Sequence, residues 1–134
     1  MNGVDGVEGI IIVMGECIKS LNADSNPLSV STSYDIRKST VSATLVKYSK
    51  ESGEQPYGNK SIVFTTTKGV FETSQGYSDT ITATTDATTG IAKVEFLSFE
   101  DGDATITAKM QDDEDVIKEC TVKIVTGDVD VIVH

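Results

Sequence analysis

Tryptophan is absent from the 134 residues, histidine occurs once, at His134, and proline and cysteine occur twice each. Each scarcity removes a class of function. With its one histidine at the last position, the chain cannot assemble a Ser-His-Asp or Cys-His catalytic set unless that terminus folds back. Cys17 and Cys120 have no second cysteine or histidine at metal-ligand spacing, which argues against zinc. A bridge between them would close a long loop and stabilise the fold by ~4 to 5 kcal/mol in the chain-entropy model. Two free buried thiols are the other reading, and two cysteines alone do not define a framework. Basic side chains are also few, 11 against 21 acidic, for a net charge of −10. Such a surface repels phosphate backbones and anionic head groups, so neither nucleic acid nor a membrane surface is an expected partner.

Long apolar runs are missing as well. The longest, Ile10 to Met14, falls far short of the ~20 residues a membrane-spanning helix needs. Met1 to Asp5 carry no basic residue, and Glu8 and Glu16 bound the apolar run, so no signal peptide is expected; if the parent protein is exported, this chain is a fragment or a processed form of it. Leu-rich and Ala-rich helical stretches are lacking too.

What is present is strand-forming: abundant Thr, Ser and Val in a chain that is 38% hydrophobic and 24% charged, a composition that folds rather than stays disordered. The length fits one domain with a core of its own. Residues 1–17 read as a leader or an extra edge strand built on Ile10 to Met14. Ser20 to Pro27 reads as turn-prone polar chain, followed by the short alternating segment Leu28 to Ser31. Alternation is then regular. Val41, Ala43 and Leu45 share a face, as do Ile62 and Phe64, then Ile81 and Ala83, then Ala92, Val94 and Phe96. Ala104, Ile106, Ala108 and Met110 follow, and Cys120, Val122 and Ile124 close the series. Ser49 to Asn59, with Gly53, Pro56 and Gly58, reads as a long polar loop. Seven or eight short, mostly antiparallel strands at this spacing predict an all-β sandwich over 18–126. Residues 127–134 remain as a tail, a linker or a strand exchanged with a neighbour.

Several stretches within this pattern resemble one family. Ser39 to Leu45, Pro56, Ile62 to Phe64, Gly69 to Phe71, Thr84 to Asp86, Thr89 to Val94, Ser98 and Ala104 to Ala108 are similar to the group 1 bacterial immunoglobulin-like domain, the repeat of invasin- and intimin-type adhesins. The resemblance covers about Ile18 to Val125 and is most specific at Thr85-Asp86 through Thr89-Gly90-Ile91-Ala92, taken with Ala104 to Ala108. Gly90 suits a tight turn between strands, and Ala92 is small enough for close approach of two sheets. The loop at Ser49 to Asn59 looks longer than the family's, and Asp103 stands where a small residue is common. The resemblance implies an immunoglobulin-like sandwich working outside the cell or at its surface as a stacked spacer or adhesive module. Its implied partners are neighbouring immunoglobulin-like domains, identical subunits, or a host or cell-surface receptor.

Few residues invite chemistry. Glu100, Asp101 and Asp103, and Asp112 and Asp113 with Glu114 and Asp115, fall in predicted turns, where water keeps carboxylates ionised and poorly suited to act as acids. Their oxygens suit calcium in kind, although the spacing matches no EF-hand loop and acidic turns are common on their own account. No cofactor is expected. Thr67-Lys68-Gly69 lacks the glycines of a phosphate-cradling loop. Tyr57 and Tyr77 read either as loop anchors or as a contact surface. The expected function is therefore a non-enzymatic structural or adhesion module. The alternatives are a subunit of an extracellular filament or viral particle assembled by exchange of terminal strands, and an accessory carbohydrate-binding domain, which would need exposed aromatics aligned on a sheet face.

Overall fold

A computed structural model describes residues 15–126. The run Ile10 to Met14, the tail 127–134 and His134 lie outside the described residues. Among the described residues eleven strands, against the seven or eight expected, appear in the order β1 (Gly15–Ala23), β2 (Leu28–Ser29), β3 (Ser39–Ser49), β4 (Gly53–Pro56), β5 (Ser61–Thr66), β6 (Val70–Thr73), β7 (Gly76–Ser78), β8 (Thr80–Thr84), β9 (Ile91–Leu97), β10 (Gly102–Met110) and β11 (Asp113–Val125). They form two sheets. One runs β1-β3-β9-β6-β7 with β4 added to β3; the other runs β2-β11-β10-β5-β8. All pairings are antiparallel except that of β2 with β11.

The period of two fixes which residues enter the core. Val41, Ala43 and Leu45 of β3 and Ala92, Val94 and Phe96 of β9 face Ile62 and Phe64 of β5, Ala104, Ile106 and Ala108 of β10 and Val122 and Ile124 of β11, all of them buried. Phe71 sits between Phe64 and Phe96 in two edge-to-face contacts, with ring centroids 6.2 and 5.8 Å apart. Apolar side chains from both inner faces thus interlock into one core, as expected of sheets packed face to face.

The alternating strands stand where the sequence puts them, and the sandwich is all-β as expected. The departures are strands without alternation. Every residue of β4 is exposed, so its segment reads as loop; pairing with Val46 to Ser49 makes it a strand. β1 extends through Ser20 to Ala23, which the sequence reads as turn, and begins at Gly15 within the expected leader. A register shift between Ile18 and Ser20 breaks its period. The acidic turn expected over Asp112 to Asp115 is shorter, because Met110 pairs directly with Asp113.

Registry also fixes two poles. Gly15 pairs with Tyr48 beside the β3–β4 turn, whereas Val125 pairs with Ser29. Val30 N–H donates to Val125 C=O at 3.0 Å, and Ser31 N–H to Ser98 C=O at 2.8 Å. The described chain therefore enters the sandwich at one pole and leaves at the other.

Phe71→Ala removes the ring that joins the other two and should lower unfolding free energy by ~3–5 kcal/mol. Ile117→Ala, on the exposed face of β11, should change it by less than about 0.5 kcal/mol. Urea denaturation midpoints check both; equal effects would mean that the core is not organised around Phe71.

Candidate recognition surface

The loop from β2 to β3 is closed on itself by short-range bonds. The buried Ser31 Oγ accepts from Arg37 N–H at 2.8 Å and donates to Arg37 C=O at 2.9 Å. Thr32 Oγ1 accepts from the N–H groups of Tyr34 and Asp35 at 3.2 and 3.0 Å, and Thr32 N–H donates to Asp35 C=O at 2.9 Å. Arg37 Nε bonds Asp35 at 2.8 Å, and Lys38 reaches Glu72 on β6 at the same distance. A hydroxyl that satisfies its own backbone neighbours holds a turn without a ladder. The loop so fixed displays Tyr34, 98% exposed, with Ile36 beside it at 40%.

Ser31 bonds Ser98, so the β9–β10 loop lies alongside. It carries Phe99, 47% exposed, whose ring meets that of Tyr77, 51% exposed, edge to face at 6.0 Å. Val70, Lys68 and Glu100 line a shallow groove of about 310 Å³ at Phe99. This pole thus presents aromatic rings on loops whose backbone is held by hydrogen bonds, so little backbone entropy is left to lose on contact. The exposed rings stand on loops and on the short β7, not in a row across a sheet face.

The predicted residues fare differently from one another. Tyr77 belongs to this surface. Tyr57 does not: it packs on the core at the opposite pole, with Lys47 and Lys60 at 4.8 and 5.5 Å from its ring centre. It is an anchor. Composition and alternation pass over Tyr34; the signal for it is its position among the turn-forming Ser31, Thr32 and Asp35. Cys17 and Cys120 are both free. Cys17 Sγ lies 4.0 Å from the Tyr48 hydroxyl, whereas Cys120 packs against the core margin, where burial pushes its thiol pKa up.

The acidic residues do not converge. Glu100 pairs with Lys68 at 3.5 Å, Asp112 with Lys60 at 3.0 Å, and Asp101 accepts from the Thr126 hydroxyl at 3.0 Å. Asp103 and Asp113 lie within β10 and β11 rather than in turns. Among the described residues no three acidic, histidine or cysteine side chains come together in a way that could hold a metal ion. Glu100, Asp101 and Asp112 are instead each engaged singly, by a lysine or a hydroxyl.

Two carboxylates are shifted. Lys19, bonded at 2.6 Å, lowers the pKa of Glu54, which also accepts from Tyr48 at 3.3 Å. Tyr48 is raised, first by its contact with Cys17, so the pair stays as carboxylate and phenol. Asp86 is lowered by the N–H groups of Thr89 and Thr88, both at 2.9 Å, assisted by the Thr89 hydroxyl at 3.2 Å.

The sandwich is similar to solved intimin structures. It matches the D0-D1 domain of intimin with a TM-score of 0.64 and 25% identity, over 85% of this chain and 50% of that one. It also matches the C-terminal 282-residue fragment of intimin, solved in complex with the intimin-binding domain of the translocated intimin receptor. There the TM-score is 0.55 and the identity 23%, over 80% of this chain and 32% of that one. The chain therefore spans half or less of each. No family model and no curated protein matches the sequence. The invasin/intimin-type immunoglobulin-like resemblance drawn from Thr85 to Ala92 and Ala104 to Ala108 is borne out by these neighbours.

Because the folded-state pKa of Asp86 lies below its unfolded value, its contribution is complete above the ordinary aspartate range and is lost as pH falls through the folded value. Asp86→Asn keeps an acceptor and removes the charge. Urea midpoints of the variant should fall less steeply than those of the parent as pH drops from about 5 to below 4; parallel curves would show that Asp86 does not contribute to acid sensitivity.

Proposed function

We propose that this chain is a non-enzymatic module of a surface protein of the intimin type, placed outside the cell, which spaces its neighbours and presents the pole around Tyr34 to a receptor. The observation that carries the reading is the nearly fully exposed Tyr34 on a loop closed by Ser31 and Arg37. A ring of that size in water has no role in the core, and the bonds beneath it fix the backbone from which it projects. Similarity to intimin domains, one of them in a fragment solved with a receptor domain, supports the adhesive side of the proposal. Strands that enter at one pole and leave at the other support the spacing side, since modules of this kind stack in series. The acidic balance of the whole chain, −10, keeps such an array soluble and apart from anionic surfaces.

Antibody raised against the chain should label intact cells that produce the parent protein; labelling only after permeabilisation would overturn the placement. Cells that display the protein should attach to their target surface, and Tyr34→Ala should weaken attachment about tenfold or more, the usual cost of losing an aromatic anchor. Attachment unchanged by Tyr34→Ala, with the fold intact by circular dichroism, would leave the spacing role and remove the presenting one.

A further inference from the structure

An exposed sheet edge is a template for another strand unless something guards it. β1 carries Glu16, Lys19 and a register break. β4 carries Glu54 and ends on Pro56, and β7 has three residues. β11 is covered by β2 at Ile124 and Val125. The Asn26 side chain then covers it where its amide donates to Thr121 C=O and its oxygen accepts from Lys123 N–H, both at 2.9 Å. Charged Asp113, Glu114, Asp115, Lys118 and Glu119 line the rest.

β8, at the far edge of its sheet, has no such guard among the described residues. Thr80-Ile81-Thr82-Ala83-Thr84 contains no charge, proline or register break. Its bonding direction follows from its partner. Thr66 N–H donates to Asp79 C=O at 3.1 Å and Thr85 N–H to Lys60 C=O at 2.8 Å. Alternation along an antiparallel ladder then commits Ile81 and Ala83 to β5 and turns the N–H and C=O groups of Thr80, Thr82 and Thr84 to the open side. A surface depression of about 450 Å³, lined by Thr84, Asp86, Thr89, Ile91 and Lys93, leaves the Thr84 end clear.

The segment reads almost the same in both directions, which makes the edge complementary to itself. We propose that β8 pairs antiparallel with β8 of a second copy about a two-fold axis at Thr82, continuing the sheet across a symmetric dimer. In this register Thr82 faces Thr82 and Thr80 faces Thr84 as hydrogen-bonded pairs, adding roughly six main-chain bonds. The half-buried Ile81 meets the small Ala83 on the inner face, and threonines pair on the outer one. Asp79 falls opposite Thr85, and Asp86 opposite Ser78, so no carboxylates are opposed. In a chain of net charge −10, this edge lets two copies meet without aligned like charges. The contact is narrow, so the dimer is a weak one that forms with rising concentration.

Sedimentation equilibrium at about 0.15 M salt, up to about 1 mM protein, tests it. The mass of the full chain should rise from 14.3 kDa towards twice that value, and Thr82→Lys, which sets two ammonium groups on the axis, should hold it at 14.3 kDa. Ile117→Lys, on exposed β11, should still dimerise. A parent chain that stays at its own mass overturns the proposal, as does an equal effect of the two lysine variants. Geometry is read separately in a Cys17→Ser, Cys120→Ala background confirmed as folded by circular dichroism. Thr82→Cys should oxidise to a disulfide-linked dimer, because facing Cα atoms of a bonded pair lie about 5.5 Å apart. Thr80→Cys, whose counterpart faces Thr84, should not. Equal cross-linking of both overturns the symmetric register.

Discussion

The structure hangs on the turn that carries the chain from one sheet to the other between β8 and β9. Thr85 is buried; its hydroxyl donates to Tyr57 C=O at 2.8 Å and accepts from Lys60 N–H at 3.0 Å. Its main chain bonds Asn59 and Lys60, each at 2.8 Å. Asp86 then folds the turn back, with its N–H on Ile91 C=O and its C=O under Gly90 N–H, both at 2.9 Å. Gly90 C=O receives Leu45 N–H of β3, the neighbour of β9 in its sheet, at 2.8 Å. A Cβ on Gly90 would stand 2.6 Å from Leu45 O at a φ of +71°, so only glycine fits without displacing β3. One six-residue segment therefore ties the β4–β5 connection, β3 and β9 together, and the inner faces that bury Phe64, Phe71 and Phe96 depend on that tie.

With the interior so determined, the surface divides into guarded and unguarded parts. Most exposed backbone is defended by charge, by proline or by a side chain such as Asn26 that imitates a strand. Among the described residues two features stand out beside the isolated, exposed Ile117: the threonine edge of β8, and the pole where Tyr34, Ile36 and Phe99 stand in water. Apolar groups left open on an otherwise acidic and hydrated surface mark places where binding costs little desolvation, whereas the amides of an open strand edge exchange water for main-chain bonds. The two features are chemically distinct, one offering main-chain bonds and the other aromatic rings.

Much of this was legible in the chain itself. Period-two alternation located β3, β5, β8, β9, β10 and the second half of β11, because each has one face in water and one in the core. The segment Thr85 to Ala92 pointed to the family because its residues are constrained locally, by a turn, a clamp and a close approach. β4 escaped, since a strand exposed on both faces carries no alternation, and so did the extension of β1 through a register break. The acidic candidates were legible as residues but not as sites, because spacing does not say which lysine or hydroxyl lies across the gap from each.

The sequence by itself determined the fold class, the inward residues of the alternating strands and the tight turn at Gly90, all of which follow from local periodicity and backbone conformation. Only the tertiary structure decided that Cys17 and Cys120 are free, that Tyr57 is an anchor while Tyr34 is presented, and that β8 is an open edge. Those properties depend on which strands are neighbours and which way each side chain and amide faces, and neighbours across a sandwich are set by long-range packing that no local stretch encodes.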